Sequence, residues 1–269
     1  MVRRRRRRDG GSDWFAVEAP RILAHRGLAL DVPENTLASF RAAVTLGARY
    51  VETDVHASQD GVAMIAHDPS LARVAGIDAE MSDLTTAELQ KVDLGDGHRM
   101  PTLLEALLAF PDTRFNIDVK SQGAGAAVAS AVLAAGATHR VLVTSFSSRR
   151  RASVVRLVPG VASSASASRV ALILALAKFG VLDAAPWAVA GIDAVQVPPK
   201  RGCLTIATPR VIRALHLRGI EVHIWTINDP GEMRRLLELG VDGIVTDRAD
   251  LALDLVRGIA SLGPAQPRA

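Results

Sequence analysis

The sequence predicts one α/β domain, a TIM (β/α)8 barrel with a small insertion between the second and third barrel strands. Its 269 residues are 49% hydrophobic, enough to bury one large core. Only 4% are aromatic, which suits parallel strands and packed helices better than a β-sandwich. Eight short β-like runs alternate with helical patterns, as in successive βα units: 22–24, 50–56, 115–119, 141–145, 161–164, 194–197, 222–227 and 243–246.

Helix start and stop signals fall between these runs. Residues 36–46 show an amphipathic pattern that ends at Gly47. Thr208 and Asp229, each followed by proline, are typical first residues of two further helices. The order of strand and helix therefore repeats through a barrel domain that we place at residues 20–260.

One stretch, about residues 57–112, departs from this alternation. A hairpin-type turn at 60–61 leads into an extra strand at 62–66, and capping boxes begin at Thr85 and Thr102. Insertions at the end of a barrel where the strands finish lie over the active site. We therefore expect this insertion to contribute to substrate choice.

The basic character of the chain is concentrated at its start. The formal net charge is +4, and without the six arginines of residues 3–8 it becomes −2. We predict a disordered basic tail at 1–19 and a disordered C-terminal tail at 261–269, with docking of the basic tail on nucleic acid or anionic lipid as the less favoured alternative. Polar residues 9–13 stand where a secretory signal would be apolar, which predicts a cytoplasmic location. The lone Cys203 excludes an intramolecular disulfide.

Residues 170–182 form the most apolar run. Lys178 interrupts it, and it is shorter than the ~20 residues that span a membrane. We predict a buried or partner-facing helix here. A weak membrane contact along its surface is the alternative.

Carboxylates are the first candidate site groups. Glu52 and Asp54 lie two residues apart on a predicted strand, so both side chains leave the same face near the barrel mouth. A divalent cation, Mg²⁺ or Ca²⁺, would offset their repulsion, and so would pairing with arginine. Asp118, at the end of the next barrel strand, favours the cation as a third oxygen ligand. Lys120 faces the same way and either binds phosphate or neutralises the acids.

Two histidines are the second group of candidates. His25 closes the first strand and His67 closes the extra strand, which makes them a plausible acid/base pair rather than two structural histidines. Arg26 offers a planar fork for phosphate oxygens, and Gly27 lets the backbone turn closely. His56 shares the face of the carboxylates, but we expect it at the rim.

Six short motifs containing these residues stand in order along the chain: His25-Arg26-Gly27, Pro33-Glu34-Asn35-Thr36, Glu52-Thr53-Asp54, His67-Asp68-Pro69, Asp118-Val119-Lys120 and Trp225-Thr226-Ile227-Asn228. In this order, over about residues 22–247, the chain resembles the glycerophosphodiester phosphodiesterase family. The ordered set is highly specific, whereas each motif alone is not.

The resemblance implies a TIM barrel that cleaves small glycerophosphodiesters, such as glycerophosphocholine or glycerophosphoethanolamine, to an alcohol and glycerol 3-phosphate. It implies a divalent cation, Mg²⁺ or Ca²⁺, and a role in phospholipid and glycerol metabolism. Matching positions assign the metal ligands Glu52, Asp54 and Asp118, with Glu34 as a further acidic group near them, the acid/base pair His25 and His67, the phosphate ligands Arg26 and Lys120, and a substrate wall at Trp225.

Two positions depart from the family pattern. Asp118 stands where glutamate is usual, which keeps the carboxylate but shortens the reach to a metal. Residues 71–74 read Leu-Ala-Arg-Val where Leu-Asp-Arg-Thr is frequent. Neither departure removes a proposed catalytic group.

Two other functions are consistent with the sequence. A lysophospholipase D would use the same site on an acylated glycerophosphodiester, and an open apolar groove would favour it over a closed polar pocket. A non-catalytic barrel docked by its arginine tail belongs to a different class, but it predicts missing site groups, whereas both histidines and all three acids are present. We expect a small-molecule substrate and no nucleic-acid partner. No sequence feature indicates an oligomeric state.

Overall fold

The computed structural model describes residues 12–202 and 204–261, and within them eight parallel strands form a nearly closed barrel. The strands are β1 Arg21–His25, β2 Tyr50–Ala57, β3 Ala63–Ile65, β4 Arg114–Val119, β5 Val141–Thr144, β6 Ala162–Ser163, β7 Ala194–Val197, β8 Lys200–Arg201, β9 Leu204–Thr205, β10 Glu221–Ile224 and β11 Gly243–Thr246. The spatial order in the barrel is β6-β5-β4-β2-β1-β11-β10-β7, and a bridge between Ser164 and Ala194 joins its two ends. This confirms the predicted TIM barrel.

The helices begin at the predicted signals. Thr36, Thr208 and Asp229 each accept a hydrogen bond from a backbone N–H of the first turn, and complete capping boxes form at Thr85 and Thr102. The helices are α1 Leu37–Thr45, α2 Ala72–Ala75, α3 Thr86–Leu89, α4 Leu103–Ala109, α5 Ala124–Ala134, α6 Ser148–Leu157, α7 Ala167–Phe179, α8 Pro209–Leu217, α9 Pro230–Leu239 and α10 Ala249–Ser261.

The insertion is shorter than the predicted residues 57–112. It starts with β3, antiparallel to β2, and continues through α2 and α3 over a small core of its own that includes Met64, Leu71 and Met81. In contrast, α4 packs with β2 and β4 in the main core of the barrel wall. Its apolar face belongs to the barrel, so the insertion ends before α4.

The predicted disordered tail is wrong for residues 12–19. Trp14 is fully buried at the amino end of the barrel, where its Nε1–H donates to the carbonyl oxygen of Phe115 at 3.2 Å and its own carbonyl oxygen accepts from Tyr50 Oη at 2.9 Å. The prediction extended the basic and polar character of residues 3–13 over this segment, whereas the burial of Trp14 holds it in place. The predictions for residues 1–11, Cys203 and 262–269 lie outside the described residues.

The predicted apolar helix forms α7, but it is not fully buried. Ile173 and Ala177 pack into the core, whereas several of the other apolar side chains remain partly or fully exposed. No helix in the described part of the chain has the length and apolarity needed to cross a membrane.

A chain of buried polar side chains runs through the barrel beside a small apolar cluster that includes Leu23, Leu142 and Val245. Arg21 donates two hydrogen bonds to Glu221, each 2.8 Å long, and His223 lies 3.1 Å from the same carboxylate. Gln196 continues this chain, 3.3 Å from His223 and 3.0 Å from Asn116. Burial alone would raise the pKa of Glu221, but the hydrogen bonds from Arg21 and His223 lower it to about 2. The charged pair at the amino end is thus buried against the rings of Trp14 and Tyr50.

Stability at acid pH tests this pair. Because the pKa of Glu221 falls from 4.5 in the unfolded chain to about 2 in the fold, its stabilisation is complete above pH 4.5 and is lost as the pH falls towards 2. We expect Glu221→Gln to lower the free energy of unfolding at pH 7 by an amount on the order of 3 kcal/mol.

Urea denaturation at pH 7, 4 and 3 measures this effect. The difference between wild type and Glu221→Gln should shrink as the pH falls. Asp254→Asn, which breaks an exposed ion pair with Arg257, is the control and should cost less than about 1 kcal/mol. If the loss in free energy of unfolding caused by Glu221→Gln does not change with pH, the charged form of Glu221 is not what stabilises the fold.

Candidate active site

The candidate site lies where β1, β2 and β4 end. Parallel register places Asp54 beside Asp118 and His25 beside Glu52. Glu52, Asp54 and Asp118 are all buried. The predicted carboxylate cluster therefore comes together at the mouth of the barrel.

Of the three carboxyl groups, Glu52 has a strongly raised pKa. Burial, followed by the nearby charge of Asp54, raises its pKa to about 8. The opposing positive charge comes from His25, whose Nε2 lies 3.8 Å from Glu52 Oε2. Burial also raises the pKa of Asp118. The surroundings thus favour the protonated form of Glu52, so the site does not readily hold three negative charges.

Lys120 lies between the other two carboxylates. Its Nζ is 2.9 Å from Asp54 Oδ1 and 2.8 Å from Asp118 Oδ2. Burial would lower the pKa of Lys120, but the two carboxylates outweigh it and raise the pKa. Of the two roles that the sequence left open, neutralising the acids is the one visible in this structure.

Arg26 stands in a left-handed turn with φ of 55° directly after β1. Its Nη1 donates to both oxygens of Glu34, at 3.0 and 3.1 Å, and its Nε lies 3.2 Å from Asp54 Oδ2. Asn35 supports the same turn, because its N–H donates to the Arg26 carbonyl and its side-chain amide donates to Asp54 at 3.1 Å. Arg26 of the first motif and Asn35 of the second therefore both contact Asp54 of the third.

His25 is held by groups that sequence reasoning did not assign. Its Nδ1 lies 2.6 Å from Asp247 Oδ1, and Asn228 donates to the other oxygen of Asp247 at 2.7 Å. Burial would lower the pKa of His25, but the Asp247 hydrogen bond and the Glu52 charge raise it. Asp247 follows β11 directly. His25 was selected because it stands at the end of a strand, and the same criterion would have selected Asp247.

His67 has a carboxylate partner of its own. Its Nδ1 lies 2.7 Å from Asp68, and Asp68 also pairs with Arg73, which reaches Glu34 at 2.7 Å. Arg73 belongs to the stretch that departs from the family pattern, and here it links the insertion to the first motifs. A chain of ion pairs thus connects His67 to Arg26.

His56 is not at the rim. It is buried, its Nε2–H donates to the His67 carbonyl oxygen at 3.1 Å, and burial lowers its pKa. It lines an open cavity of about 320 Å³ with His67, Lys120 and Ser121. This cavity lies between the insertion and the end of β4.

Trp225 follows β10 and packs edge-to-face on Phe146, with ring centroids 5.9 Å apart. Phe146, in the loop after β5, is 59% exposed. No sequence motif singled out Phe146. Together the two rings form an apolar contact between the loops that follow β5 and β10.

The residues fit a divalent cation by donor chemistry. Three buried carboxylates meet at one strand end, and Asp118 Oδ1 is buried without a hydrogen-bond partner. Within the described part of the chain, no three His, Cys, Asp or Glu side chains already stand as a metal chelate. In their present arrangement, Lys120 is shared by two of the three acids.

Comparisons with known proteins identify similar sequences and structures. The glycerophosphoryl diester phosphodiesterase family model matches residues 25–251. A probable glycerophosphodiester phosphodiesterase of Mycobacterium tuberculosis is 40% identical over 92% of this chain and 96% of its own. A putative glycerophosphoryl diester phosphodiesterase of Silicibacter pomeroyi has a TM-score of 0.77 at 23% identity, covering 93% of this chain and 99% of its own. An Oleispira antarctica phosphodiesterase, solved with the product sn-glycerol-3-phosphate, has a TM-score of 0.72 at 24% identity, covering 88% and 97%.

A substitution at Gly27 tests whether the turn after β1 has room for a side chain. Its φ is +86°, and an added Cβ would lie 2.6 Å from the backbone carbon of Ser39. Gly61 has a similar φ of +79° but no atom within 4 Å of an added Cβ. We expect Gly27→Ala to lower the free energy of unfolding by about 2 kcal/mol more than Gly61→Ala, because only Gly27→Ala adds a clash to the backbone strain. Urea denaturation measures both, and equal losses would contradict the steric argument.

Proposed function

The chain belongs to the glycerophosphoryl diester phosphodiesterase family, and we propose that it hydrolyses small glycerophosphodiesters to an alcohol and glycerol 3-phosphate with a divalent cation. The family match confirms the predicted enzyme class, a glycerophosphodiester phosphodiesterase. The observation that carries the mechanism is His25, held by Asp247 beside three buried carboxylates at the barrel mouth. Glycerophosphocholine and glycerophosphoethanolamine are the substrates that we favour.

His25 and His67 form the acid/base pair in this proposal. Each has its Nδ1 next to a carboxylate, Asp247 or Asp68, which favours the tautomer with hydrogen on Nδ1 and leaves Nε2 to exchange a proton. One histidine accepts the proton of the glycerol 2-hydroxyl while that oxygen bonds to phosphorus. The bond from phosphorus to the alcohol oxygen breaks, and the other histidine protonates the leaving alcohol. Water then opens the cyclic phosphate to glycerol 3-phosphate.

The cation would be held by Glu52, Asp54 and Asp118, with Glu34 as a further acidic group nearby. When bound, Mg²⁺ or Ca²⁺ polarises a phosphoryl oxygen and lowers the pKa of the glycerol hydroxyl. The unpartnered Asp118 Oδ1 and the burial of three neighbouring carboxyl groups support this assignment. Arg26 and Lys120 would hold the phosphate, and Trp225 would form a wall beside the glycerol.

Glycerol 3-phosphate release from glycerophosphocholine tests the proposal. We expect release that requires Mg²⁺ or Ca²⁺, stops with EDTA, and falls about 10²- to 10⁴-fold in kcat/KM for His25→Ala, because proton transfer is lost. His139→Ala, an exposed histidine in the turn before β5, is the matched control and should retain activity. Full activity in EDTA would refute the metal, and full activity of His25→Ala would refute the acid/base role.

The exposed Phe146 favours a second candidate, a lysophospholipase D. An acyl chain on the glycerol would find an apolar surface at Phe146 and Trp225 near the site. If acylated diesters are the substrates, Phe146→Ser should lower kcat/KM for lysophosphatidylcholine several-fold and leave that for glycerophosphocholine unchanged. Leu108→Ser, an exposed leucine on α4, is the control. Equal effects on both substrates would remove the support for the acylated one.

A further inference from the structure

We propose that Arg150, in the first turn of α6, binds the phosphate group of the substrate. The assignment adds a residue outside the six motifs to the anion site, and it rests on the proposed function because the phosphate is that of the glycerophosphodiester. Unpartnered atoms, position and charge each support it.

The first support is a set of unpartnered buried atoms. In residues 12–202 and 204–261, four buried side-chain polar atoms have no hydrogen-bond partner: Arg26 Nε, Asp118 Oδ1, Ser121 Oγ and Arg150 Nε. An unpartnered buried polar atom lowers stability, so such atoms need an explanation. Arg26 and Asp118 belong to the candidate site, and Ser121 lines the cavity beside Lys120. Three of the four are donors, as a phosphate requires.

The second support is the position of Arg150. β5 pairs with β4 so that Thr144 stands beside Asp118, and Ser145 Oγ donates to the Val119 carbonyl oxygen at 2.7 Å. The loop that leads into α6 is therefore fixed against the end of β4. Arg150 follows Ser145 by five residues, in the first turn of α6, and therefore stands at the carboxyl end of β5 next to the end of β4 that carries Asp118.

The third support is charge. Arg26 is ion-paired with Glu34 and Asp54, and Lys120 with Asp54 and Asp118. In the described parts of the chain Arg150 has no ion pair, so its guanidinium can meet an incoming anion without first leaving a carboxylate. Its planar fork matches phosphate oxygens in a way that lysine does not.

The side chain of Arg150 is not needed for the helix start. The cap of α6 uses its backbone N–H, which donates to Ser147 Oγ, and substitution of the side chain leaves that bond in place. Arg149, its exposed neighbour in the same turn, provides a control of equal charge.

Isothermal titration of the full chain with sn-glycerol 3-phosphate and with inorganic phosphate tests the proposal, together with KM and kcat for glycerophosphocholine. We expect Arg150→Gln to weaken binding and raise KM about tenfold or more, because charge-assisted hydrogen bonds are lost. Arg150→Lys should lose less, and Arg149→Gln should stay within about twofold of wild type. The melting temperature of Arg150→Gln should equal or exceed that of wild type, since an unpartnered donor is removed.

Wild-type phosphate affinity and KM in Arg150→Gln would overturn the assignment, as would an equal loss in Arg149→Gln. A lower melting temperature in Arg150→Gln, restored by Arg150→Lys without recovery of binding, would show a structural role instead. The proposed function fails separately: a wild-type chain that binds phosphate through Arg150 but releases no glycerol 3-phosphate would keep the anion site and refute the reaction.

Discussion

The burial of three neighbouring carboxyl groups, those of Glu52, Asp54 and Asp118, is the constraint on which the site depends. Three carboxylates at adjoining strand ends lose hydration and repel one another, so each needs compensation. Lys120 is shared by two of them, Arg26 reaches Asp54 from the turn after β1, and His25 lies beside Glu52. The left-handed turn at Arg26 and the close packing at Gly27 follow from this requirement, because they bring the guanidinium back over β2.

Buried charges are also compensated at the opposite, amino end of the barrel. Arg21 and Glu221 pair in the interior, and Trp14 covers them from outside the strand ends. Polar side chains that continue through His223 and Gln196 separate this pair from the carboxylates. These hydrogen-bonded polar groups share the interior with a small apolar cluster that includes Leu23, Leu142 and Val245. The two larger apolar clusters contain residues of both strands and helices.

Local sequence patterns were enough to predict most of the fold and the central residues of the site. Alternation and capping residues located the strands and helices, because those signals act within a few residues. Strand-end position located His25, Glu52, Asp54 and Asp118. Partners contributed by distant segments were not predictable in this way: Asp247 meets His25 across 222 residues, and Trp14 meets Phe115 across 101. The helix α4 was misassigned because its capping box resembles that of α3, while its place in the barrel wall depends on contacts with β2 and β4.

The pairing of β1 with β11 has a consequence for how the chain folds. Arg21 lies beside Gly243 in the ladder and donates hydrogen bonds to Glu221, which is 200 residues further along. Until β10 leaves the ribosome, Arg21 lacks its carboxylate, and until β11 follows, β1 has an open edge. Contacts of such long sequence separation impose a large loop-closure entropy, so closure of the barrel is a late event in synthesis. During that interval the unpaired edge of β1 is available for pairing with strands of other chains, which promotes aggregation.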